Sequence, residues 1–445
     1  MSKILLGGGC VLTLGAKTPN FTRADVLIDG ETIAEIGTGL HAARDAEQVD
    51  ASDTIVMPGF VDTHRHTWTS LFRNLGVPAS NGRASGAAAL TDHHRPDDMY
   101  AATLIGLLGA AEAGITTVVD WSHVASDDGL ADAALQAHTD SGLRTVFVDA
   151  AGRRTEGDGA SDHASRERFA RLTTTAGSRT TIAFGSVVPG TTDLGRLADD
   201  WAMARDQGVR IHAHVDPGSS GRGVISEMGA QGILRADVTL VHCSALDDAD
   251  VDAIAASGAS ISLAPTSETT GGSVSPPIQQ LIDSDIRPGL GVDEERLAPG
   301  DLFAQMRATI AMQHATVFDR KLAGKAGVPR LMSTRDVIRH ATVDGARAAG
   351  LGTVTGSLEP GKQADIVMLR TDRPNIFPIN DPIGAVVWGM DTSNVDRVFV
   401  SGRAVMRGGV LDADVARARD LATVARNRMT EPYGAAPGTV SAGGA

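Results

Sequence analysis

Residues 57–66 read Met-Pro-Gly-Phe-Val-Asp-Thr-His-Arg-His, an apolar run that ends in two histidines separated by one residue. In an extended segment the side chains alternate between faces, so His64 and His66 point the same way and Arg65 points the opposite way. Two imidazoles on one face at the end of a buried strand are placed to bind one divalent metal ion. This stretch therefore predicts a metal site at a strand end.

The centre of the chain alternates strand-like and helix-like patterns. Eight runs rich in β-branched residues predict strands, at residues 54–61, 116–120, 145–149, 181–186, 210–215, 238–242, 260–264 and 287–292. Amphipathic stretches predict helices between them, at 99–113, 130–141, 194–207, 247–256 and 301–315. This alternation predicts an α/β fold with a (β/α)8 TIM barrel. An open doubly wound sheet is the alternative, but no Gly-x-Gly-x-x-Gly turn supports it.

Both ends of the chain are rich in short strand patterns. Asp29-Gly30 is a hairpin turn signal near the N-terminus, and residues 365–369, 385–388 and 395–403 look like strands near the C-terminus. Neither end is long enough to bury a core alone. We therefore predict one small composite β-sandwich from residues 1–56 and 357–415, with the barrel at 57–356 between them. A C-terminal helix and a flexible tail are predicted for residues 416–445.

Charge and composition exclude several classes of protein. The 445 residues contain 40 Lys and Arg against 54 Asp and Glu, and the resulting net charge of −14 argues against binding nucleic acid or anionic membrane surfaces. No apolar stretch is long enough to span a bilayer, and the N-terminus lacks the features of a secretory signal. Two cysteines, Cys10 and Cys243, are too few for a disulfide framework. We predict a cytoplasmic protein with a small-molecule partner.

Polar residues end several of the predicted barrel strands. His64 and His66 end the first strand, His214 lies at the end of the fifth, His242 ends the sixth, and Asp293 follows the eighth. The catalytic groups of TIM barrels lie at the C-terminal ends of the strands, so these five side chains are expected to converge. Each also has a simpler interpretation when taken alone. A histidine at a strand end is commonly a hydrogen-bonded rim residue, and Asp293 could cap a helix that begins at the next residue.

The motifs resemble the amidohydrolase superfamily, in the branch of cytosine, guanine and S-adenosylhomocysteine deaminases and triazine hydrolases. The resemblance covers nearly the whole chain, including Gly-Ile-Thr-Thr-Val-Val-Asp at 114–120, Val-His-Cys at 241–243 and Gly-Ser-Leu-Glu-Pro-Gly-Lys-Gln-Ala-Asp-Ile-Val at 356–367. It implies an enzyme that hydrolyses a C–N bond of a small cyclic molecule, with deamination of an aminated heterocycle as the leading reaction. Hydrolysis of an amide, urea or carbamate is one alternative, and a non-hydrolytic isomerase or lyase reaction is another.

The resemblance also implies a ligand set for one divalent metal ion. His64, His66, His214 and Asp293 would bind it, and zinc is the expected metal, although iron or cobalt suits the same ligands. Binuclear relatives carry a bridging carbamylated lysine on strand four. The predicted strand at 181–186 has no lysine, which favours a single metal ion. Relatives commonly assemble into dimers or tetramers, so a homo-oligomer is expected.

The chain departs from the family where protons are transferred. Relatives carry a glutamate three residues after the strand-five ligand, and this chain has Pro217 there. By the resemblance, Asp293 would accept a proton from water, and His242 would polarise or protonate the substrate. Where relatives read Pro-x-Ser-Asn after strand seven, residues 265–268 read Pro-Thr-Ser-Glu. We predict that Glu268 is a displaced general acid or contacts an amine-bearing substrate. A solvated loop glutamate is the alternative.

Three aromatic side chains near the predicted barrel mouth are candidates for substrate binding. Trp68 follows the first strand, and Trp121 and His123 follow the second. The two indoles are expected to form a flat wall against a planar ring, although core packing explains each equally well. His123 would contact the substrate or donate a proton near pH 7, with a loop histidine of no special role as the alternative.

Overall fold

The computed structural model describes residues 3–40, 45–74, 94–124, 127–150, 162–188, 194–215, 222–271 and 275–430. Its strands belong to two sheets, one built from the two ends of the chain and one from its centre. The sheet from the ends contains β1 Lys3–Val11, β2 Phe21–Asp29, β3 Thr32–Gly37, β4 Glu47–Asp50, β5 Thr54–Pro58, β14 Ile366–Arg370, β15 Val395–Val400, β16 Arg403–Arg407 and β17 Val410–Leu411. Its order is β17-β16-β15-β14-β5-β1-β2-β3, with β4 paired to β1.

The N-terminal and C-terminal strands thus meet where β5 pairs antiparallel with β14. The Asp29-Gly30 signal forms the predicted hairpin, because β2 and β3 pair with Asp29 opposite Thr32. The prediction that strands from both ends of the chain assemble into one element is therefore confirmed. The exact division of the chain into domains stays a proposal.

The central sheet contains eight parallel strands that follow one another in chain order. They are β6 Phe60–Arg65, β7 Ile115–Ser122, β8 Arg144–Asp149, β9 Thr180–Val187, β10 Ile211–Val215, β11 Val238–His242, β12 Ser260–Leu263 and β13 Gly289–Leu290. Helices alternate with these strands, as a parallel sheet with crossover connections requires. This is the predicted (β/α)8 TIM barrel.

The helices of the described residues cover the barrel and continue to the C-terminal region. They are α1 Pro96–Glu112, α2 Asp128–Ser141, α3 Asp162–Thr175, α4 Leu194–Asp206, α5 Val224–Ala230, α6 Asp248–Ser257, α7 Pro265–Thr270, α8 Ile278–Asp283, α9 Leu302–Leu322, α10 Thr334–His340, α11 Val343–Ala348, α12 Pro382–Gly384 and α13 Val415–Thr430. Short 3-10 turns occupy Thr67–Phe72 and Thr392–Asn394. The predicted C-terminal helix is α13, and the predicted tail lies outside the described residues.

Two strand predictions are wrong in detail. The run at 54–61 forms not one strand but parts of two, β5 and β6, which belong to different sheets. Gly59 separates them, and a Cβ atom there would lie 2.1 Å from Cγ2 of Thr116, so only glycine fits this crossing. The run at 385–388 is not a strand, because Ala385–Gly389 forms a π-helical turn. Ala385, Val386 and Val387 are all buried and Trp388 is exposed, so the run does not alternate as a strand does.

The barrel closes between its first and last strands through very few backbone bonds. The Asp293 amide donates to the His64 carbonyl at 2.8 Å, and the His66 amide donates to the Asp293 carbonyl at 3.0 Å. Gly291 allows this approach, since a Cβ atom there would lie 2.7 Å from the His64 carbonyl oxygen. Closure of the barrel therefore places Asp293 beside both histidines.

A buried ion pair joins the barrel to the sheet from the chain ends. Arg144, at the start of β8, donates from Nε to Oδ2 of Asp365 at 2.7 Å and from Nη2 to Ser401 Oγ at 2.8 Å. The Ser401 amide donates to the other carboxylate oxygen of Asp365 at 2.8 Å. The Asp365 side chain is fully buried, so its charge depends on these partners.

We expect Asp365→Ala to destabilise the protein by about 3 kcal/mol, because it leaves the Arg144 guanidinium buried without its counter-ion. The measurement is the Tm at a fixed heating rate. Asp372→Ala is the matched control, since Asp372 pairs with Arg370 at the exposed surface and its loss should leave Tm unchanged. Equal Tm values for the two variants would show that the Arg144–Asp365 pair does not hold the two sheets together.

Candidate active site

The five polar residues predicted from the strand ends converge at one end of the barrel. His64 Nε2 lies 3.2 Å from His66 Nε2 and 3.1 Å from His214 Nε2. Oδ1 of Asp293 lies 3.4 Å from His64 Nε2 and 3.2 Å from His66 Nε2. The His242 ring stands beside them, with its centroid 5.1 Å from that of His214. The prediction that these strand-end residues converge is correct, although His64 and Asp293 are far apart in the sequence.

The four donor atoms fit a metal ion. In a tetrahedral zinc site with metal–nitrogen distances of ~2.0–2.1 Å, neighbouring ligand atoms lie roughly 3.3 Å apart. The ligand atoms of His64 lie 3.1–3.4 Å from those of His66, His214 and Asp293, and His66 Nε2 lies 3.2 Å from Asp293 Oδ1. Among the described residues the ligand atoms form two overlapping trios, His64–His66–Asp293 and His64–His214–His242, each with its atoms within 4.8 Å of one another. Hydrogen bonds cannot satisfy the cluster instead, because each imidazole nitrogen has a single proton or a single lone pair. His64 Nε2 alone faces His66, His214 and Asp293. A divalent cation at the common centre would satisfy all of these donor atoms together.

Neighbouring groups orient the ligands. His66 Nδ1 donates to the Trp121 carbonyl at 3.2 Å, which leaves its Nε2 lone pair for a metal. Ser267 Oγ donates to Oδ2 of Asp293 at 2.6 Å, so the other carboxylate oxygen, Oδ1, faces the histidines. Asp293 has a φ of +64°, a left-handed conformation that non-glycine residues adopt at a cost of ~1 kcal/mol or more. This backbone turn directs the carboxylate into the cluster.

The electrostatics of the cluster favour neutral His64 and His214 and an ionised Asp293 carboxylate. Burial lowers the pKa of His64 to about 4 and holds the pKa of His214 well below its ordinary value. Burial raises the pKa of Asp293, but hydrogen bonds from His64 and His66 outweigh it and place this pKa well below its usual range. Burial lowers the pKa of His66, yet Asp293 outweighs that effect and the net pKa is raised. A proton on His66 and a divalent cation are thus alternative ways to balance the Asp293 charge.

Glu268 lies against His242 rather than in solvent. His242 Nδ1 donates to Oε1 of Glu268 at 2.9 Å, and the Ala264 amide donates to the same oxygen at 2.9 Å. The Glu268 side chain is 3% exposed, so the solvated-loop alternative is wrong. The Glu268 carboxylate thus selects the His242 tautomer that carries its proton on Nδ1. Its second oxygen, Oε2, is buried and accepts no hydrogen bond from the described residues.

The three predicted substrate-binding side chains also reach this end of the barrel. The Trp121 ring lies 4.2 Å from the His214 ring at an interplanar angle of 32°. His123 lies 5.3 Å from the His66 ring and 5.1 Å from the Trp68 ring, both measured between centroids. Trp68 and Trp121 are 4% and 2% exposed, so each also packs as a core residue does. Their contact with substrate stays a prediction.

Sequence reasoning missed several residues that support the ligands. Asp120 accepts from the Thr67 amide at 3.0 Å and from His138 Nε2 at 2.8 Å, which fixes the chain directly after His66. Burial raises the pKa of Asp120, but the His138 hydrogen bond outweighs it and the net pKa is lowered. His138 lies in α2, and no local pattern relates it to a strand end. Only the fold brings these three residues together.

The helix-cap alternative for Asp293 is wrong. The next helix, α9, begins at Leu302, and its N-cap is Asp301, whose side chain accepts from the Ala304 amide. Asp293 instead forms an isolated parallel bridge with Arg65. Pro217, which stands where relatives carry the glutamate, lies outside the described residues.

Comparison with protein families agrees with this geometry. The model of the amidohydrolase family matches residues 55–405. The chain belongs to the amidohydrolase family. The match includes all four predicted metal ligands together with His242 and Glu268.

Curated relatives in this family are deaminases. A 5-methylthioadenosine/S-adenosylhomocysteine deaminase of Symbiobacterium thermophilum is 26% identical over 422 residues, which are 91% of this chain and 94% of that protein. A 5'-deoxyadenosine deaminase of Methanothermobacter thermautotrophicus is 27% identical over 434 residues, which are 92% of this chain and 94% of that protein. The prediction of a metal-dependent amidohydrolase that acts on carbon–nitrogen bonds is confirmed.

Solved structures of amidohydrolases confirm the fold. An atrazine chlorohydrolase of Arthrobacter aurescens, complexed with zinc, matches with a TM-score of 0.83 and 21% identity, covering 95% of this chain and all of that one (100%). An adenosine deaminase of Xanthomonas campestris with bound zinc matches with a TM-score of 0.81 and 19% identity, covering 97% and 99%. At these identities the likeness shows the barrel alone.

Within the described residues, every helix is too short or too polar to cross a membrane.

We expect the purified amidohydrolase to contain about one divalent metal ion per chain, and His214→Ala to lose most of it because the ion loses one of four ligands. Elemental analysis after gel filtration measures this ratio. The control is His314→Ala, since His314 lies in α9 and contacts the Met332 carbonyl instead of the ligand cluster. Undiminished metal content in His214→Ala would remove His214 from the ligand set.

Proposed function

We propose that this amidohydrolase deaminates an aminated heterocycle with zinc as its metal ion. The observation that carries the proposal is the convergence of three imidazole nitrogens and the Asp293 carboxylate beside the His242–Glu268 pair. The cluster offers nitrogen and oxygen donors in two trios that share His64, and the two structural neighbours described above hold zinc. A cytoplasmic location and a homo-oligomeric assembly remain part of the proposal.

Adenine nucleosides are the first substrates to consider. The two curated relatives deaminate adenosine derivatives, as their names state, and they match more than nine-tenths of this chain. The planar rings of Trp68 and Trp121 lie beside those of His123 and His214, and in this proposal they contact the planar ring of the substrate. The proposal therefore ranks 6-aminopurine nucleosides first, ahead of aminopyrimidines and aminotriazines.

The reaction needs a nucleophile, a proton acceptor and a proton donor. Water adds to the ring carbon that bears the amino group, the carbon–nitrogen bond breaks, and ammonia leaves. One water proton goes to the ring nitrogen and the other to the departing amine. A divalent ion in the cluster would supply a Lewis acid that lowers the pKa of water to ~7. The protein's own residues must supply the proton transfers.

Two side chains are placed for these transfers. Asp293 presents Oδ1 to the ligand centre and is the candidate acceptor for the first water proton. Ser267 holds its other oxygen, so the carboxylate cannot rotate away. His242 is held through Nδ1 by Glu268, so the opposite ring nitrogen, Nε2, is the one that would polarise or protonate the substrate. Glu268 Oε2 is the candidate acceptor for an N–H group of the substrate.

A second reaction is supported by the residue at position 217. Proline cannot carry a proton, so the usual route to the ring nitrogen is missing. Hydrolysis of an amide, urea or carbamate needs a proton only on the leaving nitrogen, and His242 would be sufficient for that. This makes hydrolytic bond cleavage the competing proposal.

We expect metal-loaded enzyme to release ammonia from a 6-aminopurine nucleoside and to place one solvent oxygen in the product. The measurement combines ammonia detection with mass spectrometry in oxygen-18 water, across aminopurines, aminopyrimidines, triazines, ureas and cyclic amides. Cleavage of ureas or amides in preference to ammonia release would favour the competing reaction. A product without solvent oxygen would refute hydrolysis and support an isomerase or lyase.

Glu268→Gln should lower kcat at least tenfold, which corresponds to ~1.4 kcal/mol of barrier. Glutamine can still accept the bond from His242 Nδ1, but it lacks the negative charge and the free carboxylate oxygen. The kinetic assay uses whichever substrate the screen identifies. Glu227→Gln is the control, because Glu227 lies in α5 and its side chain accepts a hydrogen bond from Gln231, away from the histidine cluster. Equal kcat values for Glu268→Gln and the parent would show that the Glu268 charge has no part in catalysis.

A further inference from the structure

A network of four charged side chains lies behind the ligand cluster. Asp62, Arg65, Glu295 and Arg73 contact one another in a chain, and we call this set the seam network. Two carboxylates and two guanidinium groups make its formal charge zero. Asp62 and Arg65 have no exposed side-chain surface, and Glu295 is 5% exposed, so these charges depend on each other for compensation.

Asp62 connects the first barrel strand to the turn that carries Asp293. Its Oδ1 accepts from the Val292 amide at 3.1 Å and from the His64 amide at 3.3 Å. Its Oδ2 accepts from Arg65 Nε at 2.7 Å. One carboxylate thus fixes the backbone beside a ligand on each strand.

Arg65 extends this connection beyond Asp293. Its Nη2 donates to the Gly300 carbonyl at 2.8 Å, and its Nη1 lies 3.3 Å from Oε1 of Glu295. Arg73 donates to the same carboxylate oxygen at 2.8 Å, and Ser70 donates to Oε2. Gly300 makes room for the contact, since a Cβ atom there would lie 2.5 Å from Glu295 Oε1. The loop from 293 to 300 is therefore attached to β6 at both of its ends.

The junction between the first and last barrel strands needs such attachment because few backbone hydrogen bonds connect the two strands. Strands β7 and β8 pair over six residues, from Thr117 opposite Arg144 to Ser122 opposite Asp149. Between the β6 strand and the end of β13, the described residues form a single isolated bridge, Arg65 opposite Asp293. Side chains must supply the positional constraint that the ladder supplies elsewhere in the barrel.

We propose that Arg65 is a positioning residue that sets the affinity of the site for its metal ion. Through Asp62 and Glu295 it holds the Asp293 turn against the strand of His64 and His66. Arginine suits this task because its planar group presents several donors in a fixed fork, here to acceptors on two segments of chain. Groups that support metal ligands in this way typically contribute 10-fold to 100-fold in metal affinity.

The test is zinc affinity measured by competition with a chromophoric chelator, on chains stripped of metal and reloaded. Glu295→Gln and Arg65→Met should each bind zinc at least tenfold more weakly than the parent. The visible spectrum of the cobalt-substituted protein should change as well, because the ligand geometry changes with the position of Asp293. Glu295→Gln keeps the size of the side chain and decides the question alone if Arg65→Met does not fold.

Asp365→Ala is the matched control, since it also breaks a buried arginine–carboxylate pair but lies at the junction with the other sheet. It should lower Tm and leave zinc affinity and the cobalt spectrum unchanged. Zinc affinities of the seam variants within about twofold of the parent would overturn the proposal. So would a loss of affinity in Asp365→Ala equal to theirs, which would reduce the effect to general destabilisation. Neither readout uses catalytic turnover, so the outcome is independent of which reaction the enzyme performs.

Discussion

The site depends on how the barrel closes. Two backbone hydrogen bonds, from Asp293 to His64 and from His66 to Asp293, join the last strand to the first. They place Oδ1 of Asp293 3.4 Å from His64 Nε2 and 3.2 Å from His66 Nε2. Any other closure would separate the carboxylate from the imidazoles, because the strands carry these residues at their ends. The short last strand, Gly289–Leu290, leaves this junction with little ladder of its own. Its geometry is therefore determined by glycine at 291, the left-handed turn at 293 and the buried charges around Arg65.

At the same junction, burial opposes the negative charge of Asp293, and a bound cation would compensate that charge. Burial favours neutral imidazoles and disfavours a lone carboxylate, yet Asp293 is held in its ionised form beside them. Without a cation, a proton on His66 would balance that charge, and the ring nitrogens of His64 and His214, 3.1 Å apart, would have to share one proton between them. A buried polar group that lacks a partner costs roughly 1–3 kcal/mol, so a bound cation relieves this crowding of donor atoms. The sequence pattern and the electrostatics thus lead to the same conclusion by separate routes.

Much of the barrel and of the predicted ligand set could be predicted from the sequence, because apolar and polar residues alternate regularly along the chain. Strand ends share one face of the barrel, so polar residues that directly follow apolar runs are expected to meet there, as His64, His214 and Asp293 do. Other features have no local signal. Gly59 moves the chain from one sheet to another within a run that looks like a single strand, and His138 supports Asp120 from the middle of a helix. These positions depend on contacts between segments far apart in sequence, which periodicity does not encode.

The relation between Pro217 and Glu268 also follows from barrel geometry. In a (β/α)8 barrel the loops that follow the strands share one rim, so a carboxylate after strand seven can serve the same site as one after strand five. Glu268 reaches the site through His242, since its Oε1 accepts from that ring. In the proposed reaction, a substrate would present its ring nitrogen or amine toward strand seven. The barrel is that of the family, whereas under this proposal the side chains of this chain set the orientation of the substrate and, through it, the choice of heterocycle.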